Sequence, residues 1–223
     1  MSPEQGRVVY DHVRATRPAE VLELGTAHGV GAAYDPAPEQ VLARAGVADR
    51  VEVVREFSSY TWWLKEQVQA RSDAHGNCEP RFDFVYLDGA KNWTIDGLAV
   101  VLVEKLLRPG GWLLMDDLDW TYAQDPHRDA TDGVVHRELS EPERTQPHLR
   151  AVLELLVAQH PSFTDVRVQD EWWGWARKAP GEPRRYTLET SRPLGAVAGG
   201  ALRRARRTAR RRYRALRHRA ARG

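Results

Sequence analysis

The chain has 223 residues, of which 42% are hydrophobic and 29% are charged, so it is long and apolar enough for one sizeable domain with a packed core. It holds a single cysteine, which excludes an internal disulfide, and its longest apolar run (98–107) contains two charged residues and is too short to span a membrane. The first residues lack the pattern of a signal peptide, and the sequence therefore predicts a cytoplasmic protein.

Charge is unevenly distributed along the chain, although the net charge is only +2. Residues 201–223 contain eleven arginines and no acidic residue, so the rest of the chain keeps 22 of the 33 basic residues against all 31 acidic ones. This distribution predicts an α/β domain over residues 1–180, a linker over 181–200 and an arginine-rich amphipathic tail over 201–223. The charge of the tail suits an anionic membrane surface or nucleic acid, with docking onto the acidic domain as the alternative.

Apolar runs of strand length alternate with segments of helical pattern. In chain order, the sequence predicts a helix over 1–17, a strand over 20–24, a helix over 38–45, a strand over 51–54, a helix over 61–70, a strand over 82–87, a helix over 93–107, a strand over 112–115, a polar stretch over 121–145, a helix over 147–160 and strands over 163–169 and 173–177. The alternation predicts an α/β fold with a mainly parallel sheet covered on both faces. The last two strands are too close in sequence for a helical crossover, so we expect them to pair antiparallel.

Two glycines follow the first predicted strand. Gly25 allows a sharp turn out of the strand, and Gly29 lets the backbone approach a ligand closely, with Glu23 just before the turn. In open α/β sheets ligands bind beyond the carboxyl ends of the strands, where this turn lies. The pattern alone is equally typical of an ordinary strand–loop turn. It also lacks the glycine fingerprint of dinucleotide-binding proteins, because Ala27 stands where the second glycine would be.

Acidic residues end two of the predicted strands. Asp88 follows one strand, and Asp116 and Asp117 follow the next, so three carboxylates would meet at one edge of the sheet if these strands are neighbours. Such a cluster needs a cation, a proton or hydrogen bonds, and its oxygen atoms suit Mg²⁺. The alternative is that Asp88 and Asp117 cap the segments that follow and Asp116 faces solvent. Lys91 is either a base at this edge or a solvated surface lysine.

Three stretches, in the same order along the chain, resemble the class I S-adenosylmethionine-dependent methyltransferases: Glu-Leu-Gly-Thr-Ala-His-Gly (23–29), Phe-Asp-Phe-Val-Tyr-Leu-Asp-Gly-Ala (82–90) and Leu-Arg-Pro-Gly-Gly-Trp-Leu-Leu-Met-Asp-Asp (107–117). The resemblance covers roughly residues 15–178 and implies a Rossmann-like fold. It implies that S-adenosylmethionine is bound by Glu23, Gly25, Thr26, Gly29, Ser58 and Asp88. The sequence resembles in particular bacterial small-molecule and sugar O-methyltransferases, which implies a small hydroxylated metabolite, such as a sugar or a natural product, as the methyl acceptor.

The strand-end residues also resemble the metal-dependent catechol-type O-methyltransferases. That family has an Asp, a Lys three residues later and an Asp-Asn pair, and the matching positions here are Asp88, Lys91, Asp116 and Asp117. The resemblance implies Mg²⁺ held by the three aspartates, with Lys91 and Asp88 as catalytic residues and Lys91 taking the proton from the acceptor hydroxyl. Asp117 departs from the pattern, since the family has Asn there, and it adds one negative charge.

The interval between Gly29 and Val51 is too short for the family pattern. In the family this interval holds a helix, a second strand and another helix, and the second strand ends in an acid that binds the cofactor ribose. One parallel crossover alone takes about a dozen residues, so the interval holds one helix and the usual second strand is missing. Asp35 and Glu39 are the only acids nearby. The sequence therefore predicts weaker cofactor binding than in a relative that has this strand.

Two other functions stay open on the sequence alone. A nicotinamide-dependent oxidoreductase would use the same kind of sheet, although the glycine fingerprint is missing. A non-catalytic binding protein would combine a methyltransferase-like domain with the basic tail. Among the aromatic residues near the predicted carboxyl edge, Trp120 and Tyr122 are candidates for stacking on adenine or on a sugar, and the others are expected to pack.

Overall fold

A five-stranded sheet forms the centre of the computed structural model, which describes residues 3–25, 37–56, 59–124, 139–182 and 185–188. The strands are β1 (Val21–Leu24), β2 (Phe82–Leu87), β3 (Leu107–Met115), β4 (Phe163–Gln169) and β5 (Trp173–Lys178), in the spatial order β1-β2-β3-β5-β4. β1, β2 and β3 are parallel, whereas β5 is antiparallel to both of its neighbours. The predicted mainly parallel sheet and its antiparallel closing pair are confirmed.

The helices lie close to where the apolar periodicity predicts them. They are α1 (Pro3–Thr16), α2 (Pro38–Arg44), α3 (Tyr60–Ala70), α4 (Trp93–Leu106), α5 (Glu141–Thr145) and α6 (His148–Ala151), which continues as a π-helical segment over Val152–Val157. α5 lies inside the stretch predicted to be polar loop. α4 begins at Asn92, whose side chain accepts hydrogen bonds from the backbone N–H groups of Thr94 and Ile95, and it ends where Leu107 becomes extended and starts β3.

Helices α3, α4 and α6 cover one face of the sheet. Their contributions to this buried cluster are Leu64 of α3, Ala99, Val100, Val103 and Leu106 of α4, and Leu149, Val152, Leu153 and Val157 of α6 with its π-helical continuation. Strand β2, which lies between β1 and β3, is buried on both faces, so its sequence is a nearly continuous apolar run instead of an alternating one. This burial positions the carboxyl end of β2 firmly between its neighbours.

Helix α1 covers the other face, against aromatic side chains. The second buried cluster consists of Phe84, Tyr86, Leu114, Trp173 and Trp175, and Val8, Val9 and Val13 pack against it. His12 lies in the same apolar face of α1, with its ring centroid 4.7 Å from that of Trp175 and 5.1 Å from that of Phe84. Spacings of three and four residues place these side chains on one side of the helix, as an amphipathic pattern requires.

Two glycines make room for the π-helical segment. A Cβ atom on Gly97 of α4 would lie 3.1 Å from Leu156, and one on Gly174 of β5 would lie 2.9 Å from Leu153. The wider turn therefore packs leucines directly onto the backbones of two neighbouring elements. The sequence predicts an uninterrupted helix over 147–160, and the structure corrects this, because the extra residue in the turn depends on these tertiary contacts.

The predicted strand over 51–54 is wrong. This segment belongs to no strand, and Val51 and Val54 are 44% and 45% exposed. A strand needs a partner for its backbone groups, and within the described ranges the sheet ends at β1, whose Val21 is itself 48% exposed. The predicted absence of the usual second strand beside β1 concerns an interval of which residues 26–36 lie outside the described ranges, so it stays a prediction.

Contacts within the chain divide it into two units, Met1–Tyr186 and Thr187–Gly223. The domain boundaries at 180 and 200 stay predictions, and the arginine-rich tail lies outside the described residues. Among the helices that the structure describes, none has both the length and the apolar character needed to cross a bilayer.

Candidate functional site

The carboxyl ends of the three parallel strands are aligned by one ladder of hydrogen bonds. Leu24 of β1 is in register with Leu87 of β2, which is in register with Met115 of β3. The ladder continues past the strands, because the N–H of Asp88 donates to the carbonyl of Leu24 (2.9 Å) and the N–H of Asp116 donates to that of Leu87 (3.0 Å). Asp88 and Asp116 therefore stand side by side at this edge of the sheet.

Three carboxylates meet at this edge, as the strand order predicts. One oxygen atom from each of Asp88, Asp116 and Asp117 lies within 4.8 Å of the others. We call these residues the carboxylate cluster. Like charges this close repel one another, so the cluster is stable only if neighbouring groups compensate its charge.

Hydrogen bonds compensate Asp116, which is 6% exposed. The hydroxyl of Tyr86 donates to one carboxylate oxygen. The indole N–H of Trp173 and the backbone N–H of Asp117 each donate to the other oxygen, both at 2.8 Å. Burial and this bond to the carboxylate raise the pKa of the Tyr86 phenol, which therefore stays protonated and acts as a donor. Both oxygens of Asp116 are thus occupied by groups of the chain.

An ammonium group compensates the other two carboxylates. The Nζ atom of Lys91 forms ion pairs with Asp88 and with Asp117, the latter at 2.5 Å, and Lys91 is only 6% exposed. Burial by itself would lower the pKa of Lys91, but the carboxylates of Asp117 and Asp88 outweigh it and raise the pKa above its ordinary value. The pKa of Asp117 is also raised, by burial, against the opposing effect of Lys91. The two neighbouring carboxylates thus stabilise the ammonium form of Lys91.

The carboxylate cluster has the donor atoms that a divalent ion prefers, but its present arrangement does not fit such an ion. Three carboxylates are a donor set that suits Mg²⁺. However, Lys91 lies between Asp88 and Asp117, and both oxygens of Asp116 already accept hydrogen bonds. A divalent ion that bound Asp88 and Asp117 together would have to displace the Lys91 ammonium from between them.

Gly25 has a structural role at the end of β1. Its φ is +99°, and a Cβ atom there would overlap the carbonyl oxygen of Asp88 and lie 2.6 Å from the Cα of Gly89. Gly25 therefore lies directly against the turn after β2. Glu23, an exposed residue of β1, is in register with Tyr86. The other cofactor-binding residues predicted from the resemblance (Thr26, Gly29 and Ser58) lie outside the described residues.

A buried carboxylate that the sequence analysis missed holds the turn after β2. Asp96, in the first turn of α4, is 0% exposed and accepts hydrogen bonds from the hydroxyl of Tyr60 and from the N–H of Asn92 (2.7 Å). Burial raises the pKa of Asp96, and these hydrogen bonds oppose the rise. The hydroxyl of Tyr60 also accepts from the N–H of Ala90 (3.1 Å), and a Cβ on Gly89 would overlap that hydroxyl. Asp96 and Tyr60 thus fix the backbone that carries Asp88 and Lys91.

The two aromatic residues predicted to stack on a ligand have different surroundings. Tyr122 is 3% exposed and its hydroxyl accepts a hydrogen bond from Asn92 (3.1 Å), so it packs within the structure. Trp120 is half-buried and contacts the Tyr122 ring edge-to-face at 4.9 Å. Trp120 remains the better candidate for contact with a ligand, whereas Trp173, expected only to pack, donates to Asp116.

Of the two acids considered for the cofactor ribose, the structure describes one. Glu39 forms an exposed ion pair with Arg55, in which both guanidinium nitrogens reach its carboxylate. The hydrogen bond from Arg55 lowers the pKa of Glu39 to about 2. Glu39 would therefore have to leave Arg55 to bind a ribose. Asp35 lies outside the described residues.

The architecture is similar to that of solved O-methyltransferases. The O-methyltransferase from Bacillus cereus, in complex with S-adenosylhomocysteine, aligns with a TM-score of 0.52 and 18% identity over 80% of this chain and 82% of that chain. TomG from Streptomyces achromogenes is an O-methyltransferase involved in tomaymycin synthesis and was solved with S-adenosylmethionine. It aligns with a TM-score of 0.51 and 19% identity over 80% of this chain and 81% of that chain. A methyltransferase from Podospora anserina, bound to S-adenosylhomocysteine, aligns with a TM-score of 0.51 and 17% identity over 80% of this chain and 79% of that chain.

No protein-family model and no curated protein matches the sequence. The similarity to the solved structures establishes the fold. The chain has the Rossmann-like fold of the class I O-methyltransferases, as its sequence motifs predict.

Proposed function

We propose that this protein is an S-adenosylmethionine-dependent O-methyltransferase that acts on a small hydroxylated metabolite. The observation that carries the proposal is the alignment of Gly25, Asp88 and Asp116 at the carboxyl edge of a sheet with the O-methyltransferase fold. In such sheets ligands bind at this edge. The nicotinamide-dependent alternative is less well supported, because the structural neighbours named above are methyltransferases and the glycine fingerprint is missing.

The charge of the edge suits the cofactor. S-adenosylmethionine, when bound, supplies a methyl group activated by a positive sulfur and also carries a positive ammonium group. Glu23 and Asp88 place negative charge beside the turn at Gly25, which favours a cationic ligand. In this proposal Glu23 and Gly25 line the methionine end of the cofactor site, together with Thr26, Gly29 and Ser58.

In this proposal Asp88 is the base that takes the proton from the acceptor hydroxyl. The oxygen of the acceptor hydroxyl bonds to the methyl carbon as the carbon–sulfur bond breaks, and the hydroxyl proton passes to the Asp88 carboxylate. The side chain of Asp88 is 36% exposed, against 20% for Asp117, so it is the more accessible partner of Lys91. Lys91 orients this carboxylate and offsets negative charge that develops on the oxygen. This role replaces the predicted role of Lys91 as the base.

Titration calorimetry with S-adenosylhomocysteine tests the cofactor, with NAD⁺ as the competing ligand. We expect binding of the former only. Methyl transfer from labelled S-adenosylmethionine to a panel of sugars and phenols then tests the reaction. Asp88→Asn should reduce transfer at least 100-fold while S-adenosylhomocysteine still binds, and Asp49→Asn, which changes an exposed acid in a short 3₁₀ turn, is the control. Binding of NAD⁺ in preference to S-adenosylhomocysteine would rule out the proposal.

The proposal also places the protein in the cytoplasm. Its one cysteine, Cys78, is free, and a lone unpaired thiol suits a reducing compartment.

A further inference from the structure

The carboxylate cluster contains its own cation. Formal charges of −1 on Asp88 and Asp117 flank the +1 charge of Lys91, which is buried between them. Asp116, the third member, receives three hydrogen bonds from neutral groups and therefore needs no cation. Each carboxylate thus already has the compensation that a metal ion would otherwise provide.

The backbone is shaped to hold this ammonium in place. Lys91 has φ of +60° and Asp117 has φ of +58°, a conformation that non-glycine residues adopt uncommonly. Such a conformation persists only where surrounding contacts enforce it. At Lys91 those contacts include the buried hydrogen bonds of Asp96 and Tyr60 to the flanking residues Asn92 and Ala90. The ion pair is therefore part of a fixed arrangement and not a chance contact of a surface lysine.

We infer that the ammonium group of Lys91 is the resident cation of this site and takes the place of a divalent metal ion. The inference rests on the proposed function, since it concerns the same site. Asp117 agrees with it, because a third carboxylate, where the metal-dependent family has a neutral amide, provides the second partner of the ammonium. The protein would then carry out its chemistry without Mg²⁺ and without the sensitivity to chelators that a metal confers.

Binding of Mn²⁺, measured by electron paramagnetic resonance, tests the inference on the full-length protein. We expect the native protein to bind Mn²⁺ more weakly than about 1 mM. Lys91→Met removes the ammonium and keeps the length of the side chain, so the freed carboxylates should bind Mn²⁺ at least tenfold more tightly. Lys105→Met is the matched control, because Lys105 is an exposed lysine in the last turn of α4, and it should leave Mn²⁺ affinity unchanged.

Two results would overturn the inference. One is micromolar Mn²⁺ binding by the native protein, and the other is a Lys91→Met variant with no gain in Mn²⁺ affinity. If that variant does not fold, the native titration still decides, together with the thermal midpoint of the native protein, which EDTA should leave unchanged. Titration of the same samples with S-adenosylhomocysteine keeps the two proposals apart: loss of that binding contradicts the proposed function, whereas the Mn²⁺ result concerns the cation alone.

Discussion

The side chains at the sheet edge show how strongly residue-level details depend on the fold. Lys91 and Asp117 both have left-handed backbones, each costing on the order of 1 kcal/mol for a non-glycine residue. The strand ends predict that the three aspartates meet, because parallel strands share a carboxyl edge. The partners of Asp116 could not be predicted, because Tyr86 and Trp173 have the pattern of ordinary apolar strand residues.

Asp96 is a second residue whose role the sequence hardly reveals. An acid in the first turn of a helix usually faces solvent and favours the helix dipole. Its one sequence signal is its position four residues after the N-cap Asn92, whose N–H it accepts, in a variation of the capping box.

Replacing Asp96 with alanine should destabilise the protein. The substitution removes the carboxylate that accepts from the hydroxyl of Tyr60 and from the N–H of Asn92, and loss of each hydrogen bond costs about 1–3 kcal/mol. Urea denaturation should therefore show a loss of about 3 kcal/mol in the free energy of unfolding. Asp11→Ala, on the exposed side of α1, should change it by less than about 0.5 kcal/mol. Equal effects of the two substitutions would contradict this role of Asp96.

Protonation of His12 should destabilise the packing of α1. Burial, and secondarily the positive charge of Arg167, lowers the pKa of His12, and within the described residues its Nε2 atom has no hydrogen-bond partner. The unfolded chain therefore takes up this proton at a higher pH than the folded protein does, and stability falls as the pH drops below about 6.5. The thermal midpoint should decline between pH 7 and pH 5.5, and His12→Phe, which keeps an aromatic ring among Phe84 and Trp175, should flatten the decline. An unchanged pH slope in that variant would assign the effect to other groups.

At the scale of elements, the turn after β1 requires glycine for two separate reasons. Gly25 has a positive φ, and its missing side chain is what lets the Asp88 carbonyl lie against it. Gly25→Ala should therefore destabilise the protein by more than about 2 kcal/mol, since it adds a clash with backbone atoms to conformational strain. Gly46 has a positive φ (+69°) but open space around it, so Gly46→Ala should cost only about 1 kcal/mol. Urea unfolding of both variants distinguishes the steric clash at Gly25 from the backbone strain that both positions share. Equal losses in the free energy of unfolding would mean that the backbone around Gly25 moves away from Asp88 at little cost.

The elements that were predicted well are those whose signal is local. β2 and β4 begin and end where their apolar and β-branched runs do, and α4 begins at its N-cap. The error at residues 51–54 has a different origin. A valine-rich run is only a strand if a neighbouring strand accepts it, and the presence of that neighbour is a property of the sheet and not of the run.

At the scale of the whole molecule, the interval between Gly29 and Val51, which is too short for the second strand of the family pattern, should weaken cofactor binding. The resemblance to methyltransferases implies a carboxylate on that strand that binds the ribose, and Glu39 is held by Arg55 instead. Loss of a charge-assisted hydrogen bond costs about 1.5–3 kcal/mol, and about 1.4 kcal/mol corresponds to tenfold in affinity. Parallel titration calorimetry with S-adenosylmethionine should therefore show at least tenfold weaker binding than for a methyltransferase that has this strand and its carboxylate. Equal affinities would mean that another residue binds the ribose, and Asp35 and Glu39 would be the first to mutate.

The arginine-rich tail should make the full-length protein bind polyanions. Eleven arginines without an acid repel one another, and a polyanion relieves that repulsion with release of counterions. We expect binding to single-stranded RNA or to anionic lipid vesicles that weakens steeply with salt, and helix formation in the tail on binding. Binding to either polyanion should weaken when glutamine replaces four of the arginines, Arg206, Arg207, Arg210 and Arg211. Binding that does not depend on salt, or the absence of binding to either probe, would favour docking of the tail onto the acidic domain.

Gly25, directly after β1, lies against the backbone of Asp88 and Gly89 with no room for a side chain, so we expect a displacement of one to shift the other. We therefore expect a molecule bound against Gly25 to restrain the turn after β2, which carries Asp88 and Lys91. For a two-substrate enzyme this predicts a kinetic order: the methyl donor binds first and completes the surface on which the acceptor is recognised. The demethylated donor then leaves last, and its release sets the pace of turnover when the acceptor is abundant.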